Sequence, residues 1–368
     1  MSQTMISLQR VSKRFRGASG AAVEDLSMDI QAGETVVLVG PSGCGKTTTM
    51  KMINRLVEPT SGTILVNGTD VTKQDPVELR RGIGYVIQSI GLMPHRSIRH
   101  NIATVPKLLG WDTARISARV DELVQTLELD PELLARYPSE LSGGQRQRVG
   151  VARALATDPP VMLMDEPFGA VDPIVRERLQ DQFLDVQARL KKTIVFVTHD
   201  IDEAIKMADR IAILNVGGKI EQFASPEEIL RAPANEFVKR FVGVERGLKR
   251  LALVKVSDIE IGEGPVCAPG ASVADAKAQM EKFDLEWVSV VDDGELRGWV
   301  DAAALEGAST VGDATPRPFS AYVTKDSTLR HALDSIITSR TKVAVVASEG
   351  QRYAGILTLE RVSKEIVS

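Results

Sequence analysis

With 368 residues, 43% hydrophobic and 26% charged, the chain is too long for one ordinary domain and too apolar for disorder, so two or three folded domains are expected. Its net charge of −4 lies wholly beyond Val244, because the first 244 residues carry 30 basic and 30 acidic side chains; with no basic stripe in either part, a nucleic-acid partner is not expected. Two cysteines (Cys44, Cys267), no apolar run near the ~18 residues of a membrane span and a polar, basic start without a signal-peptide core together predict a cytosolic chain without disulfides.

Ile6 to Phe15 and Val23 to Ile30 alternate apolar and polar residues, as half-buried antiparallel strands do, with a turn at Gly17-Ala-Ser-Gly20. Thr35-Val-Val-Leu-Val39 reads as a buried strand, Gly40-Pro-Ser-Gly-Cys-Gly-Lys-Thr-Thr48 as a glycine-rich turn, and Thr49 to Leu56 as a helix. That order is the setting of a phosphate-binding P-loop. Gly40, Gly43 and Gly45 let backbone amides turn toward an anion, and the helix N-terminus adds roughly half a positive charge. Lys46 would reach the β- and γ-phosphates and Thr47 would hold the accompanying Mg²⁺. Pro41, Ser42, Cys44 and Thr48 complete the cradle, Cys44 through its amide rather than its sulfur. Phe15, just ahead of this core, either stacks on adenine or packs on the sheet.

Gly62 to Val66 with the Asn67-Gly68 turn predicts a hairpin, and Gly82 to Gln88 a strand ending in a polar amide. Ile98 to Leu155 shows helical spacing broken at Pro106, Pro131 and Pro138, an all-helical insert. Within it Leu141-Ser-Gly-Gly-Gln145 precedes a helix, so Ser142, Gly143, Gly144 and Gln145 form a second anion-binding N-terminus. Val161 to Met164 is an apolar strand ending in Asp165-Glu166. Ligands of open parallel sheets sit beyond the strands' carboxyl ends, and two carboxylates beside a polyphosphate require a cation. Asp165 therefore falls in the Mg²⁺ coordination sphere, and Glu166 is free to orient and deprotonate a water. Thr193 to Val197 leads to Thr198-His199-Asp200, with His199 placed to meet the terminal phosphate. Ser225-Pro-Glu-Glu228 opens a helix that, with Asn235 to Val242, closes the first domain.

Together these residues resemble the ATPase subunit of ABC transporters from about Ile6 to Val242, with the P-loop, Gln88, Leu-Ser-Gly-Gly-Gln, the acidic strand end, Gly169-Ala-Val-Asp172 and His199 in the family's order. The resemblance implies an ATP-hydrolysing homodimer stacked head to tail, in which Ser142 to Gln145 meet ATP bound by the partner copy and Asp172, kept from the family's Ser-Ala-Leu-Asp segment, is a further nucleotide-binding position. Gln88 would touch Mg²⁺ and the attacking water, and Ser89 to Asn101 would receive a helix of a transmembrane permease. Ile87 to His95 and Phe168 to Pro173 look like importers of quaternary-amine osmoprotectants such as glycine betaine, carnitine and choline. Such importers add an extracytoplasmic solute-binding protein, and this subunit would lie peripherally on the cytoplasmic face of the membrane. The alternatives are a soluble ABC-type ATPase acting on DNA or ribosomes, and an importer subunit for another solute.

Ser272 to Ala276, Val288 to Val291 and Gly298 to Val300 recur as Thr328 to Ala332, Val343 to Val346 and Gly355 to Leu357, offset by 55 to 57 residues. This duplication resembles a tandem pair of cystathionine-β-synthase-type (CBS) regulatory modules. Such modules often contact an adenosine ribose through an Asp three residues after a Thr. Arg361 follows Thr358 and Asp301 replaces the threonine in the first repeat, so sensing of ionic strength or of a cyclic dinucleotide stays open beside plain dimerisation. The expected fold class is α/β: an ABC-type P-loop NTPase with a mixed sheet core, an antiparallel β layer and a helical subdomain, followed by an α+β CBS pair. The expected division is 1–243 (helical subdomain about 90–157), a linker at 244–257, and repeats at 258–310 and 311–368.

Overall fold

The computed structural model describes residues 3–87, 91–169, 171–319, 322–348 and 351–367, which divide into two compact units, Met1–Val242 and Gly243–Ser368. In the first unit the alternating strands β1 (Thr4–Lys13) and β2 (Val23–Gln31) pair antiparallel and send Ile6, Leu8, Val11, Leu26 and Ile30 into the core. The fully apolar β3 (Thr35–Val39) is buried on both faces, as a central parallel strand must be. Helix α1 follows at Lys46–Ile53, three residues earlier than apolar spacing places it, because Gly45 in the left-handed region already serves as its N-cap. The hairpin of β4 (Ser61–Val66) and β5 (Thr69–Asp70) turns at Asn67 and Gly68, both with positive φ, as a tight hairpin turn requires.

Helix α2 (Pro76–Arg81) leads to β6 (Ile83–Val86), after which the insert supplies α3 (Ile98–Ile102), α4 (Thr104–Leu108), α5 (Thr113–Thr126) and α6 (Gly143–Leu155). The chain then alternates β7 (Val161–Asp165), α7 (Pro173–Leu190), β8 (Thr193–Val197), α8 (Ile201–Met207) and β9 (Arg210–Asn215), and finishes with β10 (Lys219–Ala224), α9 (Pro226–Arg231) and α10 (Glu236–Val242). The core sheet runs β10-β9-β3-β8-β7-β6, parallel except for β10, and the second sheet runs β2-β1-β4-β5. The carboxyl ends of β3, β7 and β8 therefore lie side by side and carry the P-loop, Asp165-Glu166 and Thr198-His199.

In the second unit, α11 (Arg246–Arg250) precedes β11 (Val266–Cys267), α12 (Val273–Phe283), β12 (Trp287–Asp292) and β13 (Glu295–Asp301), and the repeat returns as α13 (Leu329–Thr338), β14 (Val343–Ala347), β15 (Tyr353–Thr358) and α14 (Leu359–Val367). The duplication is physical: Ser272 and Thr328 both cap helices, and Gly298 and Gly355 share a positive φ. A Cβ there would strike the backbone oxygens of Arg317 (2.5 Å) and Gly262 (2.4 Å) respectively. Trp287, Trp299, Val343, Val345 and Ile356 fill the seam between the two sheets.

Within 244–257 Val244 is exposed and α11 buries no residue, and the segment enters a core only from Leu251 onward. Leu251 and Val256 are fully buried in one cluster with Val323, Leu329, Ala344 and Leu357 of the second repeat. Likewise Val311 and Ala314 sit in the core of the first repeat. Each repeat is thus completed by the segment leading into the other.

Candidate active site

The chain can turn back at the end of β3 only where side chains are missing. A Cβ on Gly40 would stand 2.2 Å from the Leu214 carbonyl oxygen, and one on Gly45 2.5 Å from that of Ala22. No side chain caps α1, so its leading amides stay free to meet an anion. Lys46 is 7% exposed, and its ammonium donates to the carbonyls of Gly40 (2.7 Å) and Pro41 (3.1 Å) of the loop it closes. Cys44 is fully buried, with its sulfur 3.8 Å from Lys46 Nζ, so it packs beneath the loop.

Thr47 Oγ1 donates to Asp165 Oδ1 at 3.1 Å, bringing together a hydroxyl and a carboxylate 118 positions apart. Burial holds the Asp165 carboxyl above the usual aspartate range; the Thr47 hydrogen bond opposes this, and adjacent Glu166 adds to it. A buried carboxylate and a hydroxyl in contact are the hard oxygen donors Mg²⁺ takes. Among the described residues no group of three or more His, Cys, Asp or Glu could hold a metal. The remaining oxygens would come from a bound polyphosphate and water, as Mg²⁺ sites ordinarily arrange. Tyr85, on β6 beside β7, belongs to the same neighbourhood: burial and then the charge of Asp165 push its hydroxyl up to about 12. No motif singles it out in the sequence.

Glu166 has φ 44°, an uncommon conformation for a residue with a side chain, and its amide donates to the Val197 carbonyl at 2.9 Å. The turn so fixed brings Glu166 Oε1 to 3.3 Å from His199 Nδ1, with the histidine largely exposed. Residues from the ends of β7 and β8 therefore meet as a carboxylate–imidazole pair at the phosphate end of the sheet.

At the second N-terminus, Ser142 and Gln145 form a reciprocal capping box: Gln145 N donates to Ser142 Oγ (3.2 Å) and Ser142 N to Gln145 Oε1 (2.8 Å). The serine hydroxyl proton and the glutamine NH₂ stay available to an anion. Gly143 has open space around its Cα, whereas a Cβ on Gly144 would lie 3.1 Å from Val175 Cγ1. Helix α6 packs mainly on β6, α3, α5 and α7. Asp172 caps α7 by accepting from Val175 N at 3.1 Å. Phe15 is 44% exposed, with Lys13 Nζ 5.2 Å from its ring centre, so it lies on the surface rather than packed into the sheet. Gln88, and Ser89 in the stretch after it, lie outside the described residues.

An ABC transporter family model matches residues 23–169 and a CBS domain model residues 311–368. The chain is 47% identical over 370 residues to the osmoprotectant import ATP-binding protein OsmV of Salmonella typhimurium, covering 99% of this chain and 97% of that protein. It is 48% identical over 360 residues to the glycine betaine/carnitine/choline transport ATP-binding protein OpuCA of Bacillus subtilis, covering 96% and 94%. The dimeric structure of MJ0796, a bacterial ABC transporter cassette, matches with a TM-score of 0.54 and 33% identity over 60% of this chain and 99% of that one. The same cassette is also known as a post-hydrolysis dimer bound to ADP and Pi, with the same TM-score at 32% identity and the same coverage of both chains. Identity near one half, sustained through both units, makes this chain a member of the ATP-binding subunits of ABC-type osmoprotectant importers, an ATPase with a CBS domain at its C-terminal end.

Proposed function

We propose that the chain energises import of a quaternary-amine osmoprotectant through a membrane permease, working as a homodimer with its C-terminal repeats as regulator. The observation that carries the reading is the Glu166–His199 pair beside Thr47–Asp165, at the mouth of a glycine-lined loop. Lys46 and the loop amides would bind the β- and γ-phosphates and neutralise charge that develops as the terminal phosphoryl leaves. Bound Mg²⁺, held by Thr47, Asp165 and Gln88, would supply further charge neutralisation. Glu166 would orient and deprotonate the attacking water, and His199 would hold Glu166 and meet the γ-phosphate. Phe15 would offer its exposed ring to adenine. Ser142, Gly143, Gly144, Gln145 and Asp172 of one copy would close over ATP on the other.

The permease would dock at the segment 89–101 from the cytoplasmic side, with a solute-binding protein on the opposite face. No helix among the described residues is long and apolar enough to cross a membrane, which agrees with a peripheral subunit. In the second repeat, Arg361 Nη1 donates to the Glu260 carbonyl (2.7 Å), and in the first, Asp301 pairs with Arg317 (2.7 Å). Both positions are committed within the fold, which favours ionic-strength or cyclic-dinucleotide sensing over AMP. The test is uptake of glycine betaine, carnitine and choline into vesicles carrying the matched permease. Glu166→Gln is expected to bind ATP normally while losing about 10²–10⁴ in hydrolysis, and uptake with it. Near-normal hydrolysis by the variant, or no quaternary-amine uptake by the parent chain, would overturn the reading.

A further inference from the structure

Behind the Glu166–His199 pair lies a polar cluster that faces no nucleotide. Glu203 on α8 is 8% exposed, Gln180 on α7 6% and Thr198 at the end of β8 2%. Gln180 Nε2 donates to Glu203 Oε1 at 3.0 Å, and the Thr198 hydroxyl bonds to the same carboxylate. Thr198 Oγ1 also accepts from the Asp200 amide at 3.0 Å, so the cluster grips the residues on both sides of His199. One helical turn earlier on α7, Arg176 Nη2 donates to the Val171 carbonyl (3.1 Å), while its Nη1 stands 4.0 Å from Asp200 Oδ2. Residues 176 and 180 share a helix face. The start of α7, capped by Asp172, is therefore tied at two points to the turn that carries His199.

Burial drives the Glu203 carboxyl above its usual range, against the hydrogen bonds from Thr198 and Gln180. An apolar pair of similar volume would ordinarily be no less stable than such a buried polar tie. Stability alone thus gives no reason for this one.

We propose that Glu203 is a positioning residue for hydrolysis: through Thr198 and Gln180 it sets His199 against Glu166 and links that setting to the start of α7. Movement of Asp172 when two copies close would then reach the hydrolytic pair through α7. The inference rests on the roles proposed above for Glu166 and His199.

The test uses the full chain in steady-state ATPase assays with Mg-ATP. The double variant Gln180→Leu/Glu203→Met removes both partners of the buried bond while keeping volume, and Glu203→Gln keeps an acceptor for Gln180 and a partner for Thr198. The double variant leaves the buried Thr198 hydroxyl without its carboxylate, so it is expected to melt a few degrees below the parent chain and to keep KM for ATP, yet lose kcat on the order of 10- to 100-fold, as small misplacements of catalytic groups do. Glu203→Gln is expected to recover most of that loss. On a His199→Ala background the double variant should cost little more, since both changes act through one group. Unchanged kcat, or a loss fully additive with His199→Ala, would overturn the proposal. Should the double variant not fold, Thr198→Val takes its place with the same readouts. Glu166→Gln run alongside separates the two readings: if it hydrolyses normally the parent reading fails, and if it is dead while the tie variants are active only this inference fails.

Discussion

Asp165, proposed above to hold Mg²⁺, works against the fold that surrounds it. Its carboxyl is 8% exposed and raised above the usual aspartate range by burial, so the folded, ligand-free chain holds that proton more tightly than the unfolded chain does. By linkage, stability is then lost as pH rises from the ordinary aspartate value through the raised one, and the penalty is carried in full above the raised value. Asp165→Asn keeps an acceptor for Thr47 and removes the charge. It is expected to raise the Tm of the ligand-free protein at neutral pH, on the order of a few degrees, and to abolish hydrolysis. The gain should shrink as pH falls toward roughly 4. Differential scanning calorimetry checks it, and a Tm unchanged or lowered at pH 7 would refute the buried-charge account.

Among elements, α1 and α11 fail in opposite ways as sequence signals. Helix α1 has a weak apolar stripe, yet the glycine pattern before it locates its start to within a few residues. Helix α11 and Leu251 sit in the stretch 244–257, expected from the sequence to be a linker. The packing of α11 and the burial of Leu251 are decided by α14 and α13, more than 75 positions further on: the Arg330 amide donates to the Leu251 carbonyl at 2.9 Å, and a Cβ on Gly247 would meet Ile366 Cγ2 at 2.5 Å. Leu251→Ala is accordingly expected to destabilise the C-terminal unit by about 2–5 kcal/mol, the cost of a buried leucine cavity. Chemical denaturation of the full chain, followed by Trp287 and Trp299 fluorescence, checks it. A tether would show no shift in the midpoint.

For the whole molecule, the proposal with most consequence is that Ser142–Gln145 of one copy meets the nucleotide on the P-loop of another. On that reading each subunit carries two half-sites and a second copy would complete them, which agrees with the dimeric form of the related cassette. Gly143 has open space around it, so Gly143→Asp should fold normally while setting a negative charge against the partner's nucleotide. It is expected to lose about 10²–10³ in kcat, the scale of losing one positioned donor, and parent-chain activity per subunit should rise with protein concentration. Concentration-independent activity, together with an active Gly143→Asp, would remove the shared site.

The parts of the candidate site were legible from the chain alone because they are local: a glycine turn between a strand and a helix, a serine-capped helix, an acidic pair and a histidine at strand ends. Each owes its chemistry to backbone conformation over a few residues, which composition and spacing report directly. What only the tertiary structure decided is the relation between such parts. Glu166 and His199 meet because β7 and β8 are neighbours in the sheet, Gln180 reaches Glu203 because α7 packs against α8, and the two C-terminal repeats complete each other through exchanged leading segments. Those pairings are set by burial of apolar surface between elements distant along the chain, and no local pattern encodes which partner each face will find.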